Sequence, residues 1–146
     1  MRVKYLFAVT SGSLFALGFA PFSLWPLSIL SVFVLIHLME GMGKKESFII
    51  GFLYGLGYWL IGISWVYVSI HYHGNINELS SSLITLLFIS CLSVYMGLFG
   101  ALYSYLSFES TKSTIIVFPI CWGCLLYTSD AADDTPCVDL GGRRII

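Results

Sequence analysis

Between Ser47 and Ile70 the chain runs for 24 residues without a charge. As a helix that is roughly 36 Å, against a bilayer hydrocarbon core of about 30 Å. The stretch Gly51 to Gly74, GFLYGLGYWLIGISWVYVSIHYHG, is therefore expected to be a membrane-spanning helix whose far end carries aromatic and polar side chains. At about 100° per residue, Gly51, Gly55, Tyr58, Gly62, Trp65 and Ser69 fall on one face. Missing side chains on that face would let another helix approach closely.

The rest of the chain supports a membrane protein. Of 146 residues 58% are hydrophobic and 10% charged, with mean hydropathy +0.88, and the charges cluster between long apolar runs. Soluble domains rarely combine these values. Arg2 and Lys4 precede the apolar run Tyr5 to Ala20, which has the outline of a signal peptide. Pro21 directly after Ala20 argues against cleavage there. A second run, Leu27 to Met39, follows Trp25 and Pro26, so the two form a tight helical hairpin with Phe and Trp at its tip. Gly41, Gly43, Lys44 and Lys45 then separate the second helix from the third.

After a polar loop at His71 to Leu79, Ser80 to Ser107 reads as a fourth apolar helix. Ser90, Ser93, Gly97, Gly100 and Ser104 recur along it at steps of three and four, within roughly 80° of arc. Ser113 to Gly123 begins a fifth apolar segment. The expected fold is all-α: four spans and a truncated fifth, followed by an unstructured tail. Arg2, Lys4, Lys44, Lys45 and Lys112 fall on one side of an alternating topology, which puts the N-terminus in the cytoplasm. Pro21 to Pro26 and His71 to Leu79 then face outward.

Chemistry-bearing residues are sparse. His71 and His73, two steps apart, point to different sides of a helix with no third ligand near, so they read as interfacial; His37 reads as interfacial or helix-packing. No metal, cofactor or nucleic acid is expected. Cys121 and Cys124 have redox-pair spacing without the strand and helix pattern of such sites, and four cysteines show no disulfide framework. Span centres carry no ionisable residue of the kind that marks an ion pathway.

Several of these residues resemble a known family. Gly18 to Pro26 (GFAPFSLWP), Gly51, Phe52 and Gly55, Gly62 to Ile70 (GISWVYVSI) and Gly74 look like the N-terminal membrane region of bacterial apolipoprotein N-acyltransferases. Tyr95, Gly97, Leu98 and Phe99, then Pro119 and Trp122, continue the resemblance in order. The resemblance implies an enzyme of the cytoplasmic (inner) membrane that moves an acyl chain from a phospholipid to the α-amino group of a lipoprotein's lipidated N-terminal cysteine. It further implies a thioester on the enzyme and Glu, Lys and Cys catalytic residues in an extracytoplasmic nitrilase-like domain after the seventh membrane helix. No catalytic residue is therefore expected in this chain. Its partners would be phospholipid and diacylglyceryl lipoprotein, with the oligomeric state open.

The expected site residues divide in two. Trp65, Tyr67, Ser69 and His71 are candidates for the outward end of a lipid cavity, and Gly51, Gly55, Gly62, Ser93, Gly97 and Gly100 for helix packing. Two other classes remain open at this point: a small transporter or channel subunit using the glycine groove, and a non-catalytic membrane scaffold.

The last stretch departs from the family pattern. Through Gly123 there are five Lys/Arg against four Glu, while residues 124–146 carry two Arg against four Asp. Cys124 to Asp133 (CLLYTSDAAD) is what TGT CTC TTA TAC ACA TCT GAC GCT GCC GAC encodes, which resembles a transposase-type sequencing adapter, and Val138 to Ile146 has the same look. Residues 1–123 are thus expected to be the membrane domain and 124–146 a non-native tail, with the genomic frame diverging at or next to Gly123.

Overall fold

The computed structural model describes residues 2–19, 24–74, 76–107, 116–124 and 127. Most of the acidic tail lies outside the described residues. The described elements are all helical: α1 (Arg2–Leu17), α2 (Trp25–Met39), α3 (Lys44–Gly62), α4 (Trp65–Gly74) and α5 (Glu78–Leu106) in order, and α6 at residues 116–124. The chain divides into two compact units, Met1–Tyr105 and Leu106–Ile146. In the second, the Phe118 and Trp122 rings stack one turn apart along α6 at 5.7 Å.

Local signals explain the helix boundaries in the first unit. Pro26 occupies the first turn of α2, where its missing N–H costs no helical bond. Gly41, at φ 69°, ends α2 in the left-handed region that side chains with a Cβ avoid. Gly43 caps α3, accepting from the Ser47 N–H at 2.9 Å, and Glu46 sits in the first turn.

The expected continuous third span is broken. It stops at Gly62 and resumes at Trp65 as α4, the two axes bent by 54°. Ile63 leaves helical geometry at φ −119° and ψ 21°, its N–H still bonded to Trp59 O at 3.0 Å. Ser64 Oγ donates back to Ile61 O at 3.2 Å. A glycine followed closely by a serine that bonds its own backbone is a recurrent cause of helix kinks. The expected loop at His71 to Leu79 shrinks accordingly, since α4 continues through Gly74 and α5 starts at Glu78.

Among the described residues, α5 alone is by itself long and apolar enough to cross a bilayer: its 29 residues extend about 43 Å. α3 and α4 pass the same test only as a bent pair, and α1 and α2 are shorter apolar helices of 16 and 15 residues.

α3 lies at the centre of the first unit and presents glycine to neighbours on two sides. On one side, Gly57 meets the Val9 carbonyl of α1, while Gly12 of α1 meets the Tyr54 carbonyl. On the other, Gly51 faces the Met96 carbonyl of α5, and a Cβ placed on Gly55 would lie 3.0 Å from Ser93 Cα. Such close approach of helix backbones is available only where side chains are absent, and it gains van der Waals contact along both backbones.

α5 contributes Ser81, Thr85, Ser93, Gly97, Gly100 and Ser104 as buried positions on its packed face. Three of their hydroxyls bond backbone carbonyls of this same chain. Thr85 donates to Ser81 O at 2.8 Å, Ser93 to Ile89 O at 2.7 Å, and Ser104 to Met42 O in the α2–α3 turn at 2.8 Å. Leu83, Leu87, Val94, Leu98 and Leu102 are exposed on the same helix. Small residues therefore pack inward beside the buried Ile89, Phe99 and Tyr103, while bulky apolar side chains turn outward, an arrangement that a lipid solvent favours.

α2 joins through a buried polar link. Ser31 Oγ donates to Ser11 O of α1 at 2.6 Å and lies 2.9 Å from the Tyr54 hydroxyl of α3. Because the single Ser31 proton is committed to Ser11 O, the Tyr54 hydroxyl is the donor.

Candidate functional site

The two ends of the first unit differ chemically. Lys4, the α2–α3 turn and the end of α5 share one end, where Lys44 Nζ stands 4.2 Å from the centre of the Tyr105 ring. At the other, α1 and α3 end in a cluster of aromatic rings. Phe15 approaches Phe19 at 5.5 Å, Tyr58 at 5.2 Å and Tyr54 at 6.2 Å, and Tyr58 approaches Trp59 at 4.6 Å. The edge-on and tilted geometries suit ring quadrupoles and fix the end of α3 just before the kink.

Past that cluster, α4 carries the four residues expected to line the outward end of a lipid cavity. None of its residues is buried. Trp65 is 65% exposed and Tyr72 72%, Ser69 is exposed, and Tyr67 and His71 are half-buried. Tyr67 and His71, one turn apart, stack nearly parallel with centres 5.8 Å apart. His71 Nδ1 lies 3.0 Å from Ile76 O, and since a carbonyl can only accept, Nδ1–H is the donor of this bond. α4 is thus a short aromatic arm, its C-terminal end tied to the turn before α5. Amphipathic rings of this kind partition to the boundary between hydrocarbon and water.

The kink separates residues that the sequence pattern places on one face. Gly51 and Gly55 pack against α5 around Ser93 and Met96, and Gly97 and Gly100 of α5 meet Phe48 and the Ser47 carbonyl of α3. Gly62 stands apart at the end of α3, exposed, with only Tyr58 near it. Trp65 and Ser69 follow the bend onto α4. Ser90 is half-buried, and His37 projects from α2 with its Nδ1 3.6 Å from Glu40.

Sequence reasoning missed Gly12, Gly57 and the Ser31 to Tyr54 link. Ala8, Gly12 and Ala16 form a four-residue small repeat on α1, a signal of the same kind as the one read on α5. Gly57 had no such series, because it lies off the glycine face that runs through Gly51 and Gly55.

Among the described residues, no group of three or more His, Cys, Asp or Glu side chains gathers at one place. Cys91 is exposed on α5 and Cys121 buried on α6, both as free thiols. The model of the apolipoprotein N-acyltransferase N-terminal domain matches residues 11–128. The chain belongs to the apolipoprotein N-acyltransferase family. It is 35% identical over 121 residues to the apolipoprotein N-acyltransferase of Vibrio cholerae, covering 82% of this chain and 24% of that protein. To the Photobacterium profundum enzyme it is 40% identical over 101 residues, 69% of this chain and 20% of the relative. To that of Pasteurella multocida it is 33% identical over 118 residues, 81% and 22%. The chain therefore spans no more than about a quarter of the length of these curated relatives. The matched quarter of an apolipoprotein N-acyltransferase is its N-terminal domain, so the kinked α3–α4 unit belongs to that domain rather than to a transporter.

Proposed function

We propose that residues 1–123 form the N-terminal membrane domain of an apolipoprotein N-acyltransferase, which anchors the enzyme and admits acyl chains toward a catalytic domain outside this region. In this reading α1, α2, the bent α3–α4 pair and α5 each cross the bilayer, with α6 beginning a fifth crossing. The short α1 and α2 are accommodated by local thinning and by the aromatic hairpin tip. Phospholipid donates the acyl chain, the lipidated N-terminal cysteine of a lipoprotein accepts it on its α-amino group, and a thiolate elsewhere in the enzyme carries it between them. The observation that carries the reading is the family match over residues 11–128. The aromatic arm α4, which leaves α3 by 54°, supports a role for Trp65, Tyr67, Ser69 and His71 where an acyl chain would pass from bilayer to enzyme.

A graft tests this reading. Residues 1–123 would replace the matching segment of the Vibrio cholerae enzyme in cells depleted of their own, with a reporter lipoprotein examined by mass spectrometry for the amide-linked acyl chain. The graft should restore acylation, and the 146-residue chain alone should leave the reporter at empty-vector level. A graft that inserts at normal abundance without acylating the reporter, or a lone chain that acylates it, rejects the proposal.

Orientation gives a second expected result. In a background with its native cysteines replaced by serine, His73→Cys should react with an impermeant thiol reagent from outside and Lys44→Cys should not. Both positions are exposed, so access depends only on the side they occupy. Equal labelling of both from outside would reverse or abolish the orientation inferred from the basic residues.

A further inference from the structure

α4 carries no buried residue, so side-chain burial does not set its direction. At its start, the Val66 N–H donates to Ile63 O at 2.9 Å across the kink. At its end, His71 Nδ1–H donates to Ile76 O at 3.0 Å. The same carbonyl accepts from Ser81 Oγ at 3.4 Å, as an oxygen with two lone pairs can. Ser81 is fully buried on α5, its N–H bonded to Asn77 O at 2.9 Å and its carbonyl to Thr85 Oγ1 at 2.8 Å. Ile76 O is thereby fixed to α5, and His71 ties α4 to it.

The His71 ring is itself held. Tyr67 stacks on it at 9° with centres 5.8 Å apart, and Tyr72 meets it edge-on at 5.0 Å. A ring clamped between two others loses little further freedom in making the bond, so more of the bond's free energy goes into holding the arm. Partition of Trp65 and Tyr72 to the membrane boundary fixes their depth, but it is equal for every direction of the arm within the membrane plane. The bond to Ile76 supplies the direction. We infer that His71 is the positioning residue of α4: its Nδ1–H holds the arm at its 54° bend and so places Trp65 and Tyr67. His71 acts through the arm and not by touching lipid. The hold on α4 stands independently, while its consequence for a passing acyl chain rests on the reading above.

Electron–electron double resonance on the 146-residue chain in lipid nanodiscs tests the hold. Spin labels at Ile49→Cys on α3 and Val68→Cys on α4, both exposed, report the bend once the native cysteines are replaced by serine. With His71 present the distance distribution should be single and narrow. His71→Phe keeps a ring beside Tyr67 but cannot donate, and should raise the population of displaced arm about fivefold, as expected for one lost neutral hydrogen bond. His71→Asn restores a donor at the Nδ1 position and should return the narrow distribution. His73→Phe, at an exposed position two residues on, should change nothing. Nitrogen NMR of isotope-labelled histidines needs no substitution at His71 and should show its Nδ1 protonated. In the graft, His71→Phe should slow acylation of the reporter and His71→Asn recover it. An unprotonated Nδ1, an unmoved arm in His71→Phe, or equal displacement in His71→Phe and His71→Asn overturns the proposal. So does a displaced arm with undiminished acylation in a working graft. A graft that fails with His71 intact, beside the expected distances, rejects only the acyltransferase reading.

Discussion

Gly57→Val should unpack α1 from α3, lowering stability by about 3 kcal/mol. Intrinsic propensity predicts the opposite sign, since valine is the better helix former by a few tenths of a kcal/mol. Sterics decide, because a Cβ on Gly57 would fall on the Val9 carbonyl and within 3.2 Å of Ser13 N. Both obstacles are helix backbone, which cannot rotate away as a side-chain tip would. Ser13 Oγ, which donates to Val9 O on its own helix at 3.1 Å, also reaches Gly57 O at 3.3 Å, a shared contact that is lost if the helices separate. Equilibrium unfolding in mixed micelles, followed by tryptophan fluorescence, measures the change. Gly62→Ala serves as the comparison: the new methyl would meet only Tyr58 Cε2 at 3.8 Å, so stability should move by no more than about 0.5 kcal/mol. Equal stability of the two variants would show that the approach of α1 to α3 is not what holds the bundle.

Ser31→Ala should cost about 2 kcal/mol and Tyr54→Phe about 1 kcal/mol, although both delete one hydroxyl. The asymmetry follows from the direction of the bonds. Tyr54 donates to Ser31, which donates to Ser11 O, so removing Tyr54 Oη leaves Ser31 still bonded. Removing Ser31 Oγ strands a tyrosine hydroxyl on a fully buried side chain. The double variant should then cost little more than Ser31→Ala alone, giving a coupling of about 1 kcal/mol. That exceeds the ~0.6 kcal/mol average for hydrogen bonds between membrane helices, because neither group touches lipid or water. Equal single-variant costs that add fully would contradict the linked chain.

Much of the helical architecture was legible before any coordinates, because it follows from composition and from the spacing of small residues. Long uncharged runs must become helices in lipid, since no other element of one segment satisfies its own backbone groups. The boundaries at Gly41 and Pro26 follow from glycine's freedom to take positive φ and from proline's fixed φ and missing N–H, which belong to those residues wherever they occur. The small-residue series on α5 was also readable, because a step of three or four keeps one face whatever the helix packs against. The family resemblance carried by GFAPFSLWP and GISWVYVSI lies at the same level, in the order of residues alone.

The break after Gly62 was not legible, although every residue that makes it was in view. A glycine and a serine two positions apart are tolerated in straight membrane helices, and whether the ladder yields there depends on what holds each side. Here α1 and α5 grip α3 through Gly57, Gly51 and Gly55 and the ring cluster fixes its end, whereas no residue of α4 is buried. Periodicity carried Trp65 and Ser69 along the face of Gly51; the 54° bend moved them off it. The Ile76 carbonyl likewise takes bonds from both α4 and α5, which only the turn of the chain between them brings together. Sequence determined which segments are helical and which faces are small, since those depend on each residue's own volume, charge and backbone freedom. Tertiary structure decided which small face meets which helix, where the third helix bends and which carbonyl ties α4 to α5, because these depend on interactions between segments that no local period encodes.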